Sequence, residues 1–128
     1  MNVTWLIDGN NVFGSRPDGW WNDPPAAAHR LAQHIAEWCR THADDVILVF
    51  DGPLGPDVLA LAGGNLRIEQ AARRGPDAAD DRIVELATEV DHARVVTSDR
   101  GLRRRLSEHP GAEIELIGVG HFRALIRY

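Results

Sequence analysis

The chain has 128 residues, 44% of them hydrophobic, with 14 basic residues against 19 acidic ones and a net charge of −5. That length supports one well-packed domain, residues 1–128, and the acidic balance counts against binding nucleic acid through a broadly basic surface. No apolar run approaches the roughly 20 residues that cross a bilayer, and the N-terminus lacks a basic-then-apolar leader, so a soluble, cytoplasmic protein with no membrane partner is expected.

The first stretch, Val3 to Val12, is a run of β-branched and aromatic residues that ends in Asp8-Gly9-Asn10-Asn11. It reads as a buried strand running into a polar turn. Phe13 to Pro25 follows as a loop rich in Gly, Pro, Asp and Asn, with Trp20 and Trp21 inside it. Asp23 can cap the next helix, whose first turn accepts Pro24 and Pro25. Ala28, Leu31, Ile35, Trp38 and Cys39 then recur at helical spacing through about His42. Cys39 is the only cysteine, which excludes a disulfide within the chain and a cysteine zinc site, and its place on the apolar face suits a buried thiol.

Val46 to Phe50 is a second continuous apolar run, ending in Asp51-Gly52-Pro53. Beyond it come a short helix around Val58 to Ala62, a third strand at Leu66 to Glu69, and a basic turn from Gln70 to Gly75 that carries Arg73 and Arg74. Pro76 opens a helix with Ile83, Leu86, Ala87 and Val90 inward. Arg94 to Thr97 is the fourth strand, and Ser98 or Asp99 caps a helix with Leu102 and Leu106 on its core side. Glu113 to Ile117 is the fifth strand, before a terminal segment from Gly118 to Tyr128. Strands alternating with helices imply parallel pairing through right-handed crossovers and a three-layer α/β/α sandwich. The strand order 3-2-1-4-5 would set the reversal point beside Asp8 and Asp99, where ligands of open parallel sheets bind.

Acidic residues recur where such a crevice would lie. Asp8 and Asp51 each end an apolar strand, Asp99 follows a third, and Asp77, Asp80 and Asp81 stand three and four residues apart at a helix start. Residues at those offsets share a helix face, although carboxylates there also favour the helix dipole. Asp99 likewise suits a helix cap as well as a site. Carboxylates gathered closely raise one another's pKa values, and hard, oxygen-seeking cations such as Mg²⁺ or Mn²⁺ relieve the repulsion. Asp8, Asp51, Asp77, Asp80, Asp81 and Asp99 are the candidate ligands. All 14 basic residues are arginine, a side chain suited to phosphate. Arg16 and Arg100 are candidate phosphate contacts, and only one or two of Arg103 to Arg105 can face a substrate. Trp21 could stack an unpaired base, while Asn10, Asn11 and Ser98 could contact a phosphate or simply form turns and caps.

I-D-G-N-N-V, V-F-D-G, A-D-D-R-I and V-V-T-S-D-R-G-L, in this order, resemble the NYN branch of the PIN-like nucleases, close to its YacP-like bacterial members. The resemblance runs from Val3 to about Leu106. It implies a five-stranded parallel α/β/α sandwich and a metal-dependent nuclease acting on RNA. By position it makes Asp8, Asp80 and Asp99 catalytic, with Asp51 at a further acidic position. Single-stranded RNA is the expected substrate, and the ribosome or other RNA-processing proteins are the candidate partners.

Other functions fit less well. A haloacid-dehalogenase-type phosphatase needs a second Asp two residues beyond the first, where this chain has Asn10. A response-regulator receiver needs a lysine, and there is none. A dinucleotide site lacks its third glycine at Gly118 to Arg123. A PIN-like module that binds RNA or protein without cutting remains the principal alternative.

Overall fold

The computed structural model describes residues 3–71, 78–108 and 113–128. Five strands, β1 (Thr4–Asp8), β2 (Asp45–Phe50), β3 (Leu66–Gln70), β4 (His92–Val96) and β5 (Glu113–Ile117), form one sheet in the order β3-β2-β1-β4-β5. Every pairing is parallel. β1 is central and wholly buried, with Asp8 opposite Val49 of β2 and Ile7 opposite Val96 of β4. The sheet therefore reverses its winding between β1 and β4, as the expected order 3-2-1-4-5 requires.

Side chains alternate across the sheet and build two cores. On one face Ile7, Leu48 and Phe50 pack with α1 (Gly9–Gly14), α2 (Pro24–Cys39) and α6 (Val119–Ile126), through Val12, Leu31, Ile35 and Phe122. On the other, Leu6, Ile47, Val49 and Val95 meet α4 (Ala78–Glu89) and α5 (Arg100–Ser107), through Ile83, Leu86, Leu102 and Leu106. Each such fully buried side chain contributes about 1.5–3 kcal/mol, so two packed faces suffice for a domain of this length. The result is the expected three-layer sandwich. Cys39 is buried, and burial pushes its thiol up to about 11, as befits an inert side chain.

Asp23 caps α2 as expected, its carboxylate accepting the Ala26 N–H at 3.2 Å, with Pro24 at the first turn. Four elements depart from the sequence reading. The polar turn after β1 is the start of α1, a helix of six residues too short to show a periodicity. The terminal segment holds α6, whose Val119, Phe122 and Ile126 reach the core despite flanking glycines. The small helix α3 lies at Pro56–Leu59, earlier than expected because Pro56 opens it. β4 also starts earlier, since His92 already pairs with Glu113, while Thr97 extends its ladder only through a bond to Ile117 O at 3.1 Å. Arg73, Arg74, Pro76 and Asp77 lie outside the described residues. Among the described residues no helix is long and apolar enough to cross a membrane.

Candidate functional site

β1 delivers Asp8 to the carboxyl edge of the sheet, and Gly9 lets the chain turn there. A Cβ on Gly9 would stand 2.6 Å from the Phe50 ring and 3.0 Å from the Val49 carbonyl oxygen. Only a glycine fits between the end of β1 and the end of β2 without moving one of them. The next two residues tie β1 to both neighbours. Asn10 Oδ1 accepts the Asp51 N–H at 2.9 Å, at the end of β2, and Asn11 Oδ1 accepts the Ser98 N–H at 2.8 Å, just beyond β4. Each asparagine oxygen is therefore committed to the protein itself, which favours a positioning role over direct work on a phosphate.

Asp8 is buried, and its carboxyl is pushed up to about 6. Loss of solvent is the main cause; the charges of Asp51 and then Asp99 add to it, opposed by hydrogen bonds from the Thr97 hydroxyl and the Asn11 backbone. Three of the proposed ligands thus act on one another through space. Thr97, fully buried, donates to Asp8 Oδ2 at 3.1 Å and accepts the Asp99 N–H at 3.1 Å, so its hydroxyl links two of the acids. Thr97 is the residue whose role the sequence concealed. By sequence alone Thr97 could contact a phosphate or cap the helix, and the link it makes shows only once β1 is known to be its neighbour.

Two of the acids also serve helices. Asp99 caps α5, its Oδ1 accepting the Leu102 N–H at 3.0 Å. Asp51 Oδ1 accepts the Ala79 N–H at 2.9 Å, which draws the first turn of α4 to the end of β2. Asp80, the following residue, is buried, whereas Asp81 forms an ion pair with Arg105 at 2.9 Å on α5. Burial thus distinguishes Asp80 from Asp81 as the inward carboxylate of that turn. Among the described residues, no three His, Cys, Asp or Glu side chains already form a cage for one metal ion. The donors nonetheless suit a hard cation. They are carboxylates only, the donor type that hard cations prefer.

The proposed substrate contacts sit in different surroundings. Trp21 is 59% exposed, while Trp20 packs edge-on against Phe13 at 5.7 Å, so one ring anchors the loop and the other faces water. Arg16 lies over the Tyr128 ring at 4.7 Å and 3.6 Å from Asp18, engagements that hold it against α6's end. Arg100 is exposed. Arg103 donates from Nε to the Thr97 carbonyl at 3.3 Å. Ser98 Oγ accepts the Val119 N–H at 3.4 Å and joins the β4 and β5 loops.

No family profile and no curated protein matches the chain. Solved structures do. Rae1 (YacP) from Bacillus subtilis aligns with 99% of this chain and 74% of its own, at 21% identity and a TM-score of 0.76. A point mutant of the same protein aligns with 99% of this chain and 76% of its own, at 24% identity and a TM-score of 0.72. The likeness to YacP read from the four motifs is thus met in three dimensions, and the chain has the PIN-like fold of Bacillus subtilis Rae1 (YacP).

Proposed function

We propose that this protein is a divalent-metal-dependent ribonuclease that hydrolyses phosphodiester bonds of single-stranded RNA. The observation that carries this reading is Asp8, a carboxylate at the switch point of the sheet, pushed up to about 6 by burial first and then by the charges of Asp51 and Asp99. A carboxylate kept there at the cost of burial and repulsion suits a site completed by a cation. Asp8 and Asp99 are the primary ligands in this reading, with Asp80 completing the set and Asp51 beside them. The chemistry supplied by a bound Mg²⁺ or Mn²⁺ would be an acidified water and relief of the charge on the phosphate.

The protein's own part is orientation. Thr97 fixes the Asp8 carboxylate, while Asn10 and Asn11 hold the loops that carry Asp51 and Ser98. In this reading Arg100 and Arg103 meet backbone phosphates and Trp21 stacks an unpaired base, supported by the exposure of Arg100 and Trp21 and by the Arg103 bond to the Thr97 carbonyl.

A second reading, a PIN-like module that binds RNA without cutting it, is favoured by one observation. Asp51 and Asp99 each commit an oxygen to a helix N-terminus. Cleavage of a labelled mixed-sequence RNA with Mn²⁺, alongside EDTA and Asp8→Asn, separates the two. The nuclease reading expects cutting that EDTA abolishes and that Asp8→Asn lowers by at least about a hundredfold. RNA that is bound but never cut would establish the binding module instead.

A further inference from the structure

An apolar pocket of about 170 Å³ opens beside Asp51, and we propose that it receives one unpaired nucleobase of the strand. This rests on the reading of the carboxyl edge as the site where RNA binds. Phe13, Phe50, Pro24, Pro25, Pro53 and Leu54 supply its walls, and Asn10 and Gly52 its border with the acidic edge.

Three features point to a base rather than to a flexible aliphatic group. Three proline rings line it over two core phenylalanines, Phe13 and Phe50, which close its floor, and such flat apolar surfaces suit a flat aromatic ligand. The pocket also adjoins the acids directly, because Asn10 and Gly52 flank it while Asn10 holds Asp51. A phosphate near Asp8 would therefore have its neighbouring base within reach of this pocket. Finally, the pocket has one oriented polar group. Asn10 Oδ1 accepts the Asp51 N–H, so the amide cannot turn over without losing that bond, and its Nδ2 is the end left to donate. Every base offers an acceptor on its edge to such a donor.

The walls are braced before any ligand arrives. Asp51 is tied to Asn10 and to Ala79, and the Leu54 N–H donates to Gln70 Oε1 at 3.0 Å on β3. Braced walls lower the ordering cost of binding and favour a fixed orientation of the base.

Binding can be read without any cleavage. With EDTA present, each of the four nucleoside 5′-monophosphates is titrated into the protein while the Leu54 methyl and Asn10 side-chain amide NMR signals are followed. Saturable shifts of both signals with at least one nucleotide are expected. Gly52→Val narrows the pocket where a Cβ would meet nothing within 4 Å. This variant should lose the shifts and bind single-stranded RNA about tenfold more weakly, with its melting temperature retained. Leu54→Ala serves as a second variant with a remodelled wall and should also weaken binding.

If no nucleotide moves either signal, or if Gly52→Val and Leu54→Ala both bind RNA as tightly as the parent, the pocket is not a base site. Nucleotide-dependent shifts in a protein that never cuts RNA would uphold the base site and remove the nuclease reading. Cutting by a protein whose pocket signals stay unmoved would do the reverse.

Discussion

The Thr97 hydroxyl donates to Asp8 Oδ2 at 3.1 Å, across 89 residues of sequence and in buried surroundings. The bond favours the ionised carboxylate and so opposes the burial that pushes this group up. Thr97→Val removes it at nearly constant volume. The Asp8 carboxyl should then titrate above 6, and the acid limb of any cleavage profile should move to higher pH with it. Carboxyl NMR titration of parent and variant measures the shift. An unmoved Asp8 titration would dissociate Thr97 from the site.

Asp8 also governs stability through pH. Its folded value, about 6, lies above the ordinary 3.8, so the native state holds this proton more tightly than the unfolded chain does. The cost of burying the charge is therefore present in full above pH 6 and is relieved as pH falls from about 6 to about 4. Asp8→Asn should raise the unfolding free energy by up to about 3 kcal/mol near neutral pH, and the gain should vanish at about pH 4. Urea unfolding at both values tests the sign. A loss of stability at neutral pH would show that the charge is compensated within the fold.

The same titration bears on metal. Mg²⁺ or Mn²⁺ at about 100 times its dissociation constant should stabilise the parent by about 2.7 kcal/mol, seen as a rise of several degrees in melting temperature. The affinity should fall below pH 6, where protons compete for Asp8. Calorimetric titration of the parent and of Asp8→Asn decides the matter. Equal binding by both proteins places the ion elsewhere.

Gly9 and Gly120 make a matched pair. Gly9→Ala drives a Cβ to 2.6 Å from Phe50 and should cost about 1–3 kcal/mol, whereas Gly120 lies in α6 with nothing within 4 Å of its would-be Cβ. Gly120→Ala should accordingly stabilise the protein by about 0.5–1 kcal/mol. Thermal melts of both variants provide the comparison, and a melt of Gly9→Ala equal to the parent's would mean the strand ends can part.

Trp21→Ala removes an exposed ring and should leave the melting temperature unchanged. It should weaken single-stranded RNA about tenfold while preserving the cleavage rate at saturation. A fall in that rate with affinity intact would place Trp21 in the chemistry rather than in binding.

The sheet was legible because β2 is an unbroken apolar run from Val46, and β1 and β4 carry apolar residues at Trp5 to Ile7 and at Val95 and Val96. Val46 to Phe50 has one structural use; Asp8 ends β1, Asp51 directly follows β2, and Asp99 lies three residues beyond β4. The short helices were less legible for the converse reason: α1 has six residues, and α6 hides its Val119-Phe122-Ile126 stripe among glycines. Within the site, Asp8 stood out from its place alone, while the division of labour between Asp80 and Asp81 depended on where Arg105 falls. Asn10 and Asn11 were visible as turn residues. Their actual partners, Asp51 and Ser98, become neighbours only once β1 lies between β2 and β4.

Those two asparagine bonds work like the jaws of a locked caliper, with β1 as the beam. The spacing from the Asp51 loop to the Ser98 loop is set before any strand arrives, so neither loop can yield to accept a wider ligand without breaking a bond. If RNA binds there as proposed, a duplex would have to match that gap or be refused, whereas a single strand could adjust its own backbone to it. Discrimination between paired and unpaired nucleic acid would then reside in the width of the edge itself, and the slow hydrogen exchange of the Asp51 and Ser98 amides would be its signature.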